Sequence, residues 1–106
     1  MLRTHNCGEL RLSDAGKNVS LCGWVQYTRE KGGVAFVVLR DRYGLTQLTF
    51  NASVNKALFD SAVQLGREYV VQAKGQVRER ESKNANMPTG DIEIIVTELN
   101  VLNSAK

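Results

Sequence analysis

The stretch GGVAFVVLRDRYGLTQLTFN, residues 32–51, decides the fold. It reads as two strands, Val34 to Asp41 and Leu45 to Asn51. Between them Asp41-Arg42-Tyr43-Gly44 makes a tight turn, with Gly44 suited to a left-handed position. Side chains alternate across a strand, so Ala35, Val37 and Leu39 share one face and Val34, Phe36 and Val38 share the other. Both faces of the first strand are apolar. In its partner, Thr46, Leu48 and Phe50 alternate with Leu45, Gln47 and Thr49. One face therefore belongs to a core, and the other sets an aromatic ring beside a glutamine.

Upstream, Val19 to Arg29 alternates as a first strand, with Val19, Leu21 and Val25 on one side. Gly23 between them suggests a bend or bulge. Glu30-Lys31-Gly32-Gly33 supplies the hairpin connection. Downstream, Val54, Leu58, Ala62 and Leu65 repeat at helical spacing, with Ser53 as expected N-cap, Phe59 widening the stripe and Gly66 past the end. Glu68 to Glu81 alternates again: Tyr69, Val71, Ala73 and Val77 face one way, and Gln72, Lys74, Gln76, Arg78 and Arg80 the other. A polar loop, Ser82 to Gly90, holds the single proline, Pro88. The last strand, Asp91 to about Asn103, points Ile92, Ile94 and Val96 inward, and Glu93, Ile95 and Thr97 outward. A short turn of helix is expected near Leu12 to Ala15.

The order is three strands, one helix, two strands. Five such strands and one helix cannot bury their apolar faces as a flat sheet. Curling into a small barrel with the helix closing one end solves both the burial and the edge problem. This is the order of the OB-fold, an all-β, five-stranded Greek-key barrel with one helix between strands three and four. A generic antiparallel sheet packed on one helix is the alternative.

Bulk properties set the limits. A chain of 106 residues makes one domain, 1–106, with one core. Hydrophobic content of 42% with 24% charged residues is ordinary for a globular chain. The longest apolar run is six residues, Val34 to Leu39, and MLRTHN lacks a hydrophobic segment. Nothing here reads as a helical membrane span or a secretory signal, and a cytoplasmic location is the expectation. Cys7 and Cys22 are isolated and read as reduced, inert thiols. His5 with Cys7 has no partners at metal-ligand spacing, and no catalytic triad or phosphate-cradling loop occurs. Net charge is +3. That is only mildly basic, so the placement of the charges matters more.

In the proposed barrel, the outer face of strands two and three carries Phe36, with Gln47 on the adjoining strand. An exposed ring stacks any base, worth roughly 1–3 kcal/mol. A glutamine amide has the donor and acceptor that a base edge requires. Arg78 and Arg80 leave strand four on its outer face, followed by Lys83, Asn84 and Asn86 in the loop, while Arg29 ends strand one. Arginine contacts phosphate in a fork and stacks on bases. Two other readings stay open: a freestanding single-strand-binding module without sequence preference, and a protein-contact barrel using Val34, Phe36 and Val38.

The chain also resembles the N-terminal anticodon-binding domain of bacterial aspartyl-tRNA synthetases, over essentially its whole length. The likeness rests on RTHNCGELRLSDAGKNVSLCGWV (3–25), FVVLRDRYGLTQL (36–48) and PTGDIEI (88–94). RTHNCGEL and TGDIEI favour the aspartate enzymes over their asparagine and lysine relatives. The resemblance implies a domain of an aspartate–tRNA ligase whose chemistry uses ATP and Mg2+ in a catalytic domain that continues beyond a hinge. The parent is implied to be a homodimer, with tRNA as partner. Phe36 would stack on the central uridine of the anticodon and Gln47 would hydrogen-bond it. Arg29 and Arg78 would approach the third base and nearby phosphates, Asn84 and Asn86 the anticodon backbone, and Glu93 the wobble guanine. Lys31, Arg80 and Lys83 are further candidate contacts. Neither a cofactor nor a metal is expected in the domain itself. Three positions depart from the family pattern. Tyr27-Thr28-Arg29 carries one arginine where several are common, Val38 replaces an aspartate, and Thr49 stands where a bulky residue is frequent.

Overall fold

In the computed structural model, which describes residues 3–103, five strands and one helix follow a short 3-10 turn, Leu12–Asp14. They run β1 (Asn18–Lys31), β2 (Val34–Asp41), β3 (Gly44–Asn51), α1 (Lys56–Val63), β4 (Val70–Glu79) and β5 (Ile92–Asn103). The sheet closes in the order β1-β2-β3-β5-β4, with β4 pairing back on β1. Every pairing is antiparallel except β3 with β5, where Leu48 lies beside Ile94 and Thr49 beside Ile95. This is the five-stranded barrel, with one helix between β3 and β4, expected from the element pattern. Among the described residues, no helix is long and apolar enough to cross a membrane.

Alternation fills the interior. Ala35, Val37 and Leu39 meet Leu48 and Phe50, and across the barrel Leu21, Val25, Val71, Ala73, Val77, Ile92 and Ile94 are all buried. Burying a side chain of the Val–Leu–Phe class stabilises the fold by about 1.5–3 kcal/mol, so this set dominates the energetics. Ala62 of α1 is buried, and Leu58, Phe59 and Leu65 pack against the same cluster. The segment before β1 is pinned to the β2–β3 turn. Cys7 N donates to Asp41 Oδ2 at 2.8 Å, and Thr46 Oγ1 donates to the Cys7 carbonyl at 2.6 Å.

Four local expectations are corrected. The helix N-cap is Asn55, whose Oδ1 accepts from Leu58 N at 3.1 Å. Ser53 is held by Asn51 Oδ1, which accepts from its backbone N and its hydroxyl, so the chain turns once more before the helix starts. Val54 is consequently outside the helix and 79% exposed. Gly66 does not cap α1, which ends at Val63. A Cβ there would meet the Tyr69 ring at 2.6 Å, so close packing requires the glycine. β4 starts at Val70 rather than Glu68, because Glu68 has φ 68 and turns the chain.

The fourth concerns β1. Gly23 is not a bulge. Its hydrogen faces the Arg40 carbonyl, which a Cβ would approach to 2.3 Å. The bulge is at Gln26, where the register passes from Val25 opposite Leu39 to Tyr27 opposite Val38. Before it, odd-numbered residues point inward; after it, even-numbered ones do. Without this reset Tyr27 and Arg29 would point into the barrel. Bulges re-aim side chains in this way. Thr28 now points inward instead, and its Oγ1 is buried with no hydrogen-bond partner among the described residues.

Candidate functional site

The outer face of β1, β2 and β3 is a grid set by register. Arg29, Phe36 and Thr49 form one row, directly opposite one another across the three strands. Tyr27, Val38 and Gln47 form the next. Phe36 is half-buried and lies with the Arg29 guanidinium over its ring, 5.8 Å from the centroid. Such a contact is worth about 0.5–1 kcal/mol at an exposed site and holds a cation beside the ring. Gln47 is diagonal to Phe36 rather than opposite it, a spacing of about 7–8 Å that aromatic and long side chains bridge.

Gln47 is on the outer wall, as parity demands, but only 5% exposed. The reason is a polar cluster closed by the parallel β3–β5 pairing. Glu93 Oε1 accepts from Thr49 Oγ1 at 2.6 Å and from Gln47 Nε2 at 3.4 Å. Gln47 Nε2 also lies 3.4 Å from Thr49 Oγ1. Arg78, opposite Glu93 across β4 and β5, donates to Glu93 Oε2 at 3.3 Å. A carboxylate has about four acceptor sites, so three donors leave it nearly saturated. Among the described residues no donor reaches Gln47 Oε1. The amide is thus oriented with its N–H groups turned to the cluster and its oxygen uncommitted.

Around this cluster lies an open groove of about 990 Å³. Arg29, Lys31, Phe36, Gln47, Arg78, Arg80 and Glu93, all singled out from the sequence, line it. Lys83, Asn84 and Asn86 do not. Lys83 pairs with Glu79 at 2.6 Å, and that contact raises the pKa of its ammonium group. Asn84 Oδ1 accepts from Asn86 N at 3.0 Å, so its side chain shapes its own loop. Thr49, noted only as a departure in the sequence, is the residue that holds Glu93 in place. Among the described residues, no three His, Cys, Asp or Glu side chains are grouped to hold a metal. His5 instead shares its Nδ1 with Thr4 Oγ1 at 2.8 Å.

A profile of the tRNA anti-codon family, described as an OB-fold nucleic acid binding domain, matches residues 19–102. The chain belongs to this family. The matched span runs from the start of β1 almost to the end of β5, so the OB-fold domain is the barrel itself. Aspartate–tRNA ligase of Bacteroides thetaiotaomicron is 64% identical over 105 residues, which is 99% of this chain and 18% of that protein. This OB-fold domain therefore spans under a fifth of the length of that curated relative. Among solved structures, asparaginyl-tRNA synthetase from Pyrococcus horikoshii, complexed with asparaginyl-adenylate, is 31% identical with a TM-score of 0.84, over 99% of this chain and 23% of that one. The OBody AM2EP06, solved bound to hen egg-white lysozyme, is 28% identical with a TM-score of 0.85, over 97% of this chain and 95% of that one.

Proposed function

We propose that this OB-fold domain binds the anticodon loop of tRNA on behalf of an aspartate–tRNA ligase. The observation that carries the reading is the cluster of Phe36, Gln47, Thr49, Glu93 and Arg78 on one outer wall of the barrel. Phe36 stacks on the central uridine. Gln47 reads it: with Nε2 turned to Glu93 and Thr49, Oε1 is the atom left for the base. An acceptor at that point pairs with the N3–H of uridine and faces an acceptor on cytosine, so uridine is preferred. Arg29 and Arg78 reach the third base and its phosphates. Glu93 keeps one acceptor site for the wobble guanine. Lys31 and Arg80, along the same groove, add positive charge. Lys83, Asn84 and Asn86 serve the RNA backbone further along the loop.

In the longer enzyme the domain is the specificity arm. Adenylate formation with ATP and Mg2+ belongs to a catalytic domain of the same chain, in a cytoplasmic homodimer.

The test is titration of the chain with a hairpin RNA carrying the aspartate anticodon. Phe36→Ala should weaken binding by about 1–3 kcal/mol. Gln47→Ala should erase the preference for uridine over cytidine at the central base while leaving overall affinity less affected. Wild-type behaviour from both variants would overturn the reading. A freestanding module without sequence preference would instead bind DNA and RNA oligomers alike.

A further inference from the structure

The bulge at Gln26 has a consequence for the binding face. It turns Tyr27 outward, 45% exposed, in the row next to Phe36. Directly opposite Tyr27 is Val38, only 4% exposed and flanked on its other side by Gln47. Tyr27 and Phe36 stand diagonally across β1 and β2, a separation of about 7–8 Å. That is too far for one base to touch both rings face-on. It is a suitable step for two neighbouring nucleotides of a splayed strand.

The charges agree. Arg29 is next on β1 beyond Thr28, on the same outer face. Arg40 lies on that face of β2, opposite Trp24. Arg67 is tied to the bulge itself, donating from Nε to the Gln26 carbonyl at 3.2 Å. All three guanidinium groups are exposed, and none pairs with a carboxylate among the described residues. A ring with unpaired arginines around it suits a base with its phosphates, since phosphate contacts supply much of nucleic-acid affinity. An apolar protein contact would leave these charges without partners.

The geometry points to a second nucleotide position on Tyr27, which stacks one of the two bases flanking the base held by Phe36, with Arg29, Arg40 and Arg67 against the adjoining phosphates. This rests on the anticodon reading and extends it along the strand. Tyr27 and Val38, two of the departures from the family pattern, are then one feature. They are cross-strand partners, and together they form an apolar-aromatic step.

The experiment measures affinity for the aspartate-anticodon hairpin, intact or made abasic at either position flanking the central base. Wild type, Tyr27→Ala, Tyr27→Leu and Tyr27→Phe are compared, with Phe36→Ala alongside. Melting temperatures confirm folding, and the leucine keeps cover over Val38 should the alanine not fold. Tyr27→Ala and Tyr27→Leu should each bind the intact hairpin about tenfold more weakly, and Tyr27→Phe should bind as wild type. One of the abasic hairpins should then bind equally to wild type and to Tyr27→Leu. Loss in Phe36→Ala with none in Tyr27→Ala or Tyr27→Leu overturns this inference and leaves the anticodon reading standing. Loss in neither position overturns both. Equal weakening with every hairpin, including both abasic ones, or altered self-association with unchanged RNA binding, also overturns it.

Discussion

Replacing Glu93 by glutamine isolates the charge of the buried cluster from its shape. The substitution keeps every heavy-atom position, but one oxygen becomes an N–H2 donor. That amide must face either Thr49 and Gln47 or Arg78, all of which are donors. Facing Arg78 is cheaper, because the Arg78 side chain is 61% exposed and turns to water. The remaining oxygen still accepts from Thr49, now as a neutral group. Charge-assisted hydrogen bonds contribute about twice as much as neutral ones, and net values for charged partners are about 1.5–3 kcal/mol. Half of one such bond is lost, about 1 kcal/mol, and the exposed Arg78 pair adds little. For a domain of this size that lowers Tm by about 4–8 °C. Glu93→Ala removes the acceptor altogether, leaves the Thr49 hydroxyl hydrogen without a partner while Gln47 Nε2 keeps only Thr49 Oγ1, and should cost about 2–3 kcal/mol. Differential scanning calorimetry reads both. Hairpin titration should show in parallel that Glu93→Gln narrows the gap between uridine and cytidine, because the oxygen that anchors Gln47 Nε2 is then neutral and holds it less firmly. A Glu93→Gln variant that melts with wild type and keeps the full base preference would refute the role given to the cluster.

The other predictions concern the scaffold. Asn55→Ala should destabilise by about 1 kcal/mol in urea unfolding, through loss of the helix cap, and Ser53→Ala by much less; the reverse order would contradict the cap assignment. Gly23→Ala should cost about 1–3 kcal/mol, because its Cβ has to displace the Arg40 carbonyl of β2. Wild-type stability in that variant would show that the close approach is not required. Burial pushes the Cys7 thiol well above its ordinary range, so Cys7 stays protonated in the fold while the unfolded chain ionises above about pH 8.5. Its contribution is therefore complete below that pH and is lost as pH rises above it. Wild type should lose more stability between pH 8 and pH 10 than Cys7→Ala, which denaturation at the two pH values checks. A thiol reagent should modify half-buried Cys22 first and Cys7 only on unfolding.

The barrel was legible where alternation is regular. Ala35, Val37 and Leu39 against Leu48 and Phe50 marks the core face, and the opposite parity places Phe36 and Gln47 on the outer wall. The helix was legible from its stripe, but its start was not. Ser53 and Asn55 are both good caps, and the Asn51 side chain, which engages Ser53, decides between them. The Gln26 bulge left no signal, because Gln26-Tyr27-Thr28 reads equally well in either register. Only the pairing of Tyr27 with Val38 shows where parity resets. The Glu93 cluster depends on a parallel pairing between β3 and β5, which are more than forty residues apart in sequence. A single sequence gives no direct sign of that pairing, so Thr49 was visible only as an irregularity, and Gln47 was legible as a base reader on an outer face but not as a partner of Glu93.

The central claim is that the Phe36 ring lies flat against the middle base of the anticodon. Selective isotope labelling of that uridine, with its H5 and H6 shifts followed by NMR as the chain is added, tests this directly. The account predicts upfield ring-current shifts of both protons that vanish with Phe36→Ala and persist with Gln47→Ala. Unmoved uridine resonances in a saturated complex, or shifts that survive loss of the ring, would contradict it.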